Sequence, residues 1–139
     1  MIDFHFKSDF ILQNKADYAD WVSRIITSEE CTVGQIDYIF CSDEYLLELN
    51  QEYLNHDTLT DIITFDYVDG RTISGDIFIS TERVFANAKE FEVDYDIELR
   101  RVMSHGILHL IGYGDKAPQQ TRIMREKEEE KIKMFHVEL

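Results

Sequence analysis

The chain opens on strict alternation. In Ile2-Asp3-Phe4-His5-Phe6 apolar and polar residues trade places at period two, the pattern of a half-buried strand. After Asn14, a plausible N-cap, the period lengthens to 3.6: Tyr18, Trp21, Val22, Ile25 and Ile26 fall on one face of a helix predicted over about 15–28. A β-branched and aromatic run over 32–40 predicts a second strand through Val33, Ile36, Tyr38 and Phe40. Ser42 then offers an N-cap to a short helix whose apolar stripe is Tyr45, Leu46, Leu49 and Tyr53, and a polar segment fills 55–60. Two strand-like runs, 61–67 and 74–80, flank an Asp69-Gly70 pair, a strong hairpin signal, and should be antiparallel neighbours. Ser80 or Thr81 can cap a helix over 82–91 with Val84, Phe85 and Ala88 inward, and further helices are expected over about 95–111 and 118–134. This order predicts an α+β fold: a small mixed β-sheet of about four strands with one antiparallel hairpin, covered by about five helices.

Composition narrows the picture. With 139 residues and 44% hydrophobic content, the chain is long enough to bury a real core. Pro118 is the only proline and glycines number six, so no linker-like stretch divides the chain, and residues 1–139 read as one domain. Cys31 and Cys41 have no metal-type spacing and suggest no disulfide scaffold, so both are expected as buried thiols in a reducing compartment. Charged residues interrupt the N-terminal apolar positions, and no apolar run approaches a membrane-spanning length, so the expected location is cytoplasmic, with no membrane partner. The net charge of −14 argues against a generic nucleic-acid-coating role. It is unevenly spread: residues 1–70 carry 15 acidic and 3 basic side chains, residues 71–139 carry 13 and 11. A polyanionic substrate should therefore meet the C-terminal half.

The chemistry is concentrated in SHGILHLIGYGD, residues 104–115. His105 and His109 are four residues apart in a helical run, so their imidazoles share one face and can reach one ion. Gly112 can end the helix in a left-handed conformation, and Gly114 loosens the turn, letting the chain fold back to present Asp115. Two nitrogens and one carboxylate oxygen leave a fourth position for water, the ligand set of a catalytic zinc ion. The spacing HxxxHxxGxxD is that of the long metzincin zinc signature on its zincin helix, with aspartate as third ligand. Gly106 occupies the place of that signature's glutamate base, which argues against a peptidase. His105, His109 and Asp115 are accordingly the expected metal-binding and catalytic residues, holding one Zn2+ per chain.

HGILHLIGY closely resembles the signature of the YbeY family of metal-dependent endoribonucleases, and the likeness extends over 49–115 through LNQEYLNHDTLTDIITFDY and GDIFIS. The resemblance implies a small mixed sheet with surrounding helices, a bound zinc, and cleavage of single-stranded RNA in ribosomal RNA maturation, notably at the 3′ end of small-subunit RNA. Its implied partners are ribosomal RNA and the small ribosomal subunit or its proteins. Two departures stand out. Many members have Asp-His where this chain has Gly114-Asp115, which changes the third ligand to aspartate. The family's usual arginine, thought to contact phosphate, is Leu54 here, and its role would pass to Arg71, Arg83, Arg100 or Arg101.

The remaining candidates are weaker. His56, Asp57, Thr60 and Asp61 either line a groove or form an ordinary polar turn. Asp76 either supports a metal histidine or points to solvent, and alternation favours solvent. Arg100, Arg101, Arg122 and Arg125 are either a phosphate-facing surface or a solvated face, and the run REKEEEKIK, 125–133, reads as solvated. His5 and His136 carry no metal spacing. An endoribonuclease is the leading expectation; the alternative is a metal-containing ribosome-assembly factor that binds RNA or a ribosomal protein without cutting.

Overall fold

The computed structural model describes residues 1–54 and 60–135, apart from the side chain of Leu54. The expectations placed on Leu54, His56, Asp57 and His136 lie outside that description. The element order is β1 (Ile2–Phe6), α1 (Lys15–Ser28), β2 (Thr32–Cys41), α2 (Asp43–Leu54), β3 (Ile62–Asp66), β4 (Thr72–Ser80), α3 (Thr81–Glu90), α4 (Tyr95–Ile111) and α5 (Pro118–Met134).

The sheet runs β1-β2-β4-β3 and is mixed. β1 and β2, joined through α1, are parallel, as are β2 and β4, while β3 and β4 form the antiparallel hairpin. Gly70 supplies the positive φ of 61° at the hairpin turn, which Asp69 and Thr72 close by two backbone hydrogen bonds. In β2 the odd step between Val33 and Ile36 has a structural cause. The pairing register with β4 shifts there, a bulge that returns Ile36, Tyr38 and Phe40 to the core face.

The main core lies on one face of the sheet. Ile36, Tyr38, Phe40, Ile77 and Ile79 meet Trp21, Val22, Ile25 and Ile26 of α1 and Leu99, Val102, Met103 and Ile107 of α4, all buried. A smaller cluster on the other face joins Cys41, Leu46 and Ile63, with Phe65 and Phe78 packed against it. Tyr38 donates to the Met103 carbonyl oxygen at 2.9 Å, fastening α4 to the sheet two residues before His105. Both cysteines are free and buried.

Several local expectations need correction. Asn14 does flank α1, but its side chain caps nothing; the residue is left-handed, and its carbonyl accepts from Asp17 and Tyr18. Ser42 accepts from the Tyr45 amide as a cap should, yet of the α2 stripe only Leu46 is fully buried, while Tyr45 and Tyr53 are exposed. Phe85 does not point inward: it is half exposed, beside Tyr95 and beneath Lys89. Ser80, not Thr81, caps α3 by accepting from the Arg83 amide.

The largest correction concerns α5. The run 125–133 is not a wholly solvated face, because Glu128 and Lys131 are only 2% and 1% exposed. Lys131 Nζ donates to Ser28 Oγ at 3.0 Å and to Glu29 Oε2 at 2.7 Å, where α1 ends. Trp21 Nε1 donates to the Lys131 carbonyl oxygen at 2.7 Å, so α1 grips α5 by a helix carbonyl and by an ion pair. Among the described residues no helix is long and apolar enough to cross a membrane.

Glu29 should carry a measurable part of the acid stability. Burial disfavours its charge, but bonds from Lys131, Tyr113 and Lys127 prevail and hold its pKa down at about 2, below the ordinary 4.5. A carboxylate depressed in this way stabilises the fold above pH 4.5 and loses that contribution as pH falls toward 2. Glu29→Gln should cost about 1–3 kcal/mol near neutrality, by leaving Lys131 short of an acceptor. Melting curves across pH should be flatter for this variant between 4.5 and 2; a slope equal to that of the native chain would refute the assignment.

Candidate active site

α4 sets the geometry of the site. Arg101, His105 and His109 stand at successive turns of one helical face, and together with Val102 they wall a cleft of about 360 Å³. Thr60, Asp61, Ile62 and Thr64, at and before β3, form the opposite wall. Asp115 closes one end. The cleft therefore gathers all three of the sequence-predicted ligands.

The turn that delivers Asp115 is built as its sequence suggests. Gly112, at φ 125°, donates to the His109 carbonyl oxygen at 3.1 Å, and Tyr113 donates to that of Leu108 at 3.0 Å, the two bonds of a Schellman stop. Gly114 matters for its missing side chain, since a Cβ there would lie 2.9 Å from Gln120 Oε1. That oxygen accepts from the Lys116 and Ala117 amides at the start of α5. Thr121 Oγ1 donates to the Asp115 carbonyl oxygen at 3.0 Å, and Tyr113 donates through its hydroxyl to Glu29 Oε1 at 2.6 Å. The turn is thus fixed to α1 and α5 on either side of Asp115.

His105 is held from both ring nitrogens. Nε2 faces Asp115 Oδ2 across 3.3 Å, and Nδ1 lies 2.6 Å from Glu128 Oε2. Burial works against a charged ring, but the Glu128 bond and the charges of Glu128, Asp115 and Asp61 outweigh it and raise its pKa above the ordinary value. His109 is exposed in the same cleft. Asp61, partly buried, lines the same cleft; burial raises its pKa, opposed by Arg101, whose Nη2 is 3.9 Å away. Among the described residues no three His, Cys, Asp or Glu side chains already stand in a metal-holding arrangement. By donor chemistry, the groups of the cleft suited to a borderline first-row ion are the two imidazoles and the carboxylates of Asp61 and Asp115.

Of the four arginines offered for a phosphate contact, Arg101 alone lines the cleft. Arg71 donates to the Glu29 and Glu30 carbonyl oxygens, Arg83 pairs with Asp43, and Arg100 stacks 3.9 Å over the Phe135 ring. Arg101 is itself committed to carboxylates, with Nε donating to Glu98 Oε1 at 2.9 Å, Nη2 to Glu98 Oε2, and Nη1 to Glu128 Oε1 at 3.4 Å. Asp76 supports no histidine of the cleft. It sits across from Asp37 on β2, and burial together with that charge raises its pKa.

Sequence reasoning missed Glu128, the most buried acid touching a predicted ligand. Met124, Glu128 and Lys131 recur at helical spacing and all three are buried, but two charged residues in a charged run give no sequence signal of that burial. Gly106 is explained as well: a Cβ there would lie 3.0 Å from both Ile62 and Ile77, so the position faces the sheet and not the cleft.

Fold and cleft together define an α+β protein whose histidine-bearing helix lies on a mixed sheet beside a carboxylate turn. Residues 3–136 match the family model described as Endoribonuclease YbeY. The chain is 58% identical over 138 residues to the endoribonuclease YbeY of Flavobacterium johnsoniae, covering 99% of each, and 53% identical to that of Christiangramia forsetii over 99% of this chain and 96% of the relative. The solution structure of TM1509 from Thermotoga maritima superposes with a TM-score of 0.68 at 27% identity, over 97% of this chain and 89% of that one. The chain belongs to the endoribonuclease YbeY family.

The packing at Gly106 carries a prediction. Gly106→Glu, which restores the metzincin glutamate in sequence, should place a charge against Ile62 and Ile77 and cost at least about 3 kcal/mol. Urea unfolding measures this, and a variant as stable as the native chain would show that α4 and the sheet are not in close contact there.

Proposed function

We propose that this chain is a metal-dependent endoribonuclease that cleaves single-stranded RNA in ribosomal RNA maturation, notably at the 3′ end of the small-subunit RNA, in the cytoplasm. Residues 1–139 work as one unit, with the small ribosomal subunit or its proteins as partners. The observation that carries this reading is the convergence of His105, His109 and Asp115 on one cleft. These three residues would hold one zinc ion. Bound there, zinc would stabilise the negative charge that builds on the scissile phosphate.

The chain's own groups have separable tasks. His105 and His109 offer neutral imidazole nitrogens, and Asp115 offers one anionic oxygen, which leaves a divalent ion in the cleft with net positive charge. Thr60 and Asp61 face them from the strand side, where a hydroxyl and a carboxylate can orient a water or a ribose hydroxyl by hydrogen bonding. Arg101, already paired with Glu98, cannot offer its fork to a phosphate without giving up those bonds. A metal ion held there would therefore supply the cleft's main electrostatic attraction for a polyanion.

That commitment of Arg101 also favours a second reading, a metal-containing ribosome-assembly factor that binds RNA or a ribosomal protein without cutting it. Zinc stoichiometry and cleavage of a defined single-stranded RNA separate the two. The native chain should hold one zinc and cleave only with metal. His109→Ala should lose the ion, and cleavage should drop by at least about 100-fold. Full zinc occupancy in His109→Ala would refute the ligand set, and cleavage that survives both chelation and the substitution would refute the mechanism. Zinc binding without cleavage would establish the assembly-factor reading.

A further inference from the structure

Glu128 is a buried carboxylate that the reaction proposed above does not use. It lies on α5, with a side chain 3% exposed, and makes two contacts. Oε2 is 2.6 Å from His105 Nδ1, and Oε1 is 3.4 Å from Arg101 Nη1. Arg101 is in turn locked by Glu98, which is 2% exposed, through Nε at 2.9 Å and through Nη2. Of these groups only Glu128 touches the ring of a proposed ligand; Glu98 meets Arg101 and not His105.

The direction of the bond between Glu128 and His105 is determined by chemistry. Carboxylates only accept, and of the two that face the ring Glu128 is the nearer, at 2.6 Å against 3.3 Å for Asp115, so the single N–H of the neutral imidazole sits on Nδ1. The lone pair is then on Nε2, the nitrogen that faces Asp115 across 3.3 Å in the cleft. We propose that Glu128 is a positioning residue: it fixes the tautomer and orientation of His105 and strengthens Nε2 as a donor to a metal ion. Arg101 contributes by holding the other carboxylate oxygen, so that the Glu128 side chain has one orientation. This inference rests on the metal reading of the cleft, and it gives Arg101 a supporting role in place of a phosphate contact.

A merely structural ion cluster would behave differently, because losing either carboxylate would then affect stability alone. The test uses the full chain with Glu128→Gln and Glu98→Gln, reading zinc dissociation constants by chelator competition alongside melting of the metal-free proteins. Glu128→Gln should weaken zinc by about 10–100-fold, the usual effect of removing a carboxylate behind a ligating histidine. Glu98→Gln, which does not touch His105, should lower the melting temperature and leave zinc affinity within about threefold, below that range. Unchanged affinity in Glu128→Gln, or equal weakening in Glu98→Gln, overturns the inference. Should either variant fail to fold, long-range 1H–15N spectra of the native metal-free chain decide, taken at a pH where the His105 ring is neutral. A proton on Nδ1 is expected, and one on Nε2 overturns the inference. A native chain that binds no zinc but shows the Nδ1 proton would sink the metal reading while the bond to Glu128 stands.

Discussion

The close approach of α4 to the sheet is the constraint from which the site follows. At Gly106 the helix backbone comes so near Ile62 and Ile77 that a methyl group would already crowd them. The Tyr38 hydroxyl, bonded to the Met103 carbonyl, holds the helix at that distance. With position 106 turned to the sheet, His105 and His109 must project sideways past the edge formed by β3. A bulkier residue at 106 would lift the helix and open the cleft from below, so a position without chemistry of its own sets where the chemistry can occur.

A second layer of organisation is electrostatic and runs through α5. Most of this helix is polar, yet it is anchored by two charged residues placed deep in the protein: Lys131 reaches the end of α1, and Glu128 reaches α4. Buried charges are tolerated only when their partners are close and complete, and here each has at least two. Glu29 joins the two halves of the arrangement. It pairs with Lys127 and Lys131, accepts from Tyr113, and so steadies the turn that carries Asp115.

How much of this could be read from sequence depended on whether a residue's environment follows from its period. The 3.6-residue stripe of α1 states burial directly, because apolar side chains have no other stable place. The stop at Gly112 and the cap at Ser80 are local backbone requirements and were equally legible. Glu128 and Lys131 were not, since a charged residue in a charged run looks solvated unless its distant partner is known, and those partners lie 23 and 102 residues away. Phe85 failed in the opposite way. Its helical phase pointed inward, but it meets only a groove beside Phe10 and Tyr95. His105, His109 and Asp115 could be placed near one another from sequence because their spacing is itself a statement of geometry, whereas the support behind them is tertiary.

The position of α5 in the chain has a consequence for timing. During synthesis the sheet and α4 emerge before α5, and a growing chain folds from its N-terminal side as length permits. Until residues 118–134 leave the ribosome, His105 lacks its carboxylate backing and the Asp115 turn lacks the helix against which it is tied. The cleft is therefore finished by a helix translated after the one that carries its histidines, and a chain that has reached only α4 holds the histidines without the frame that aims them.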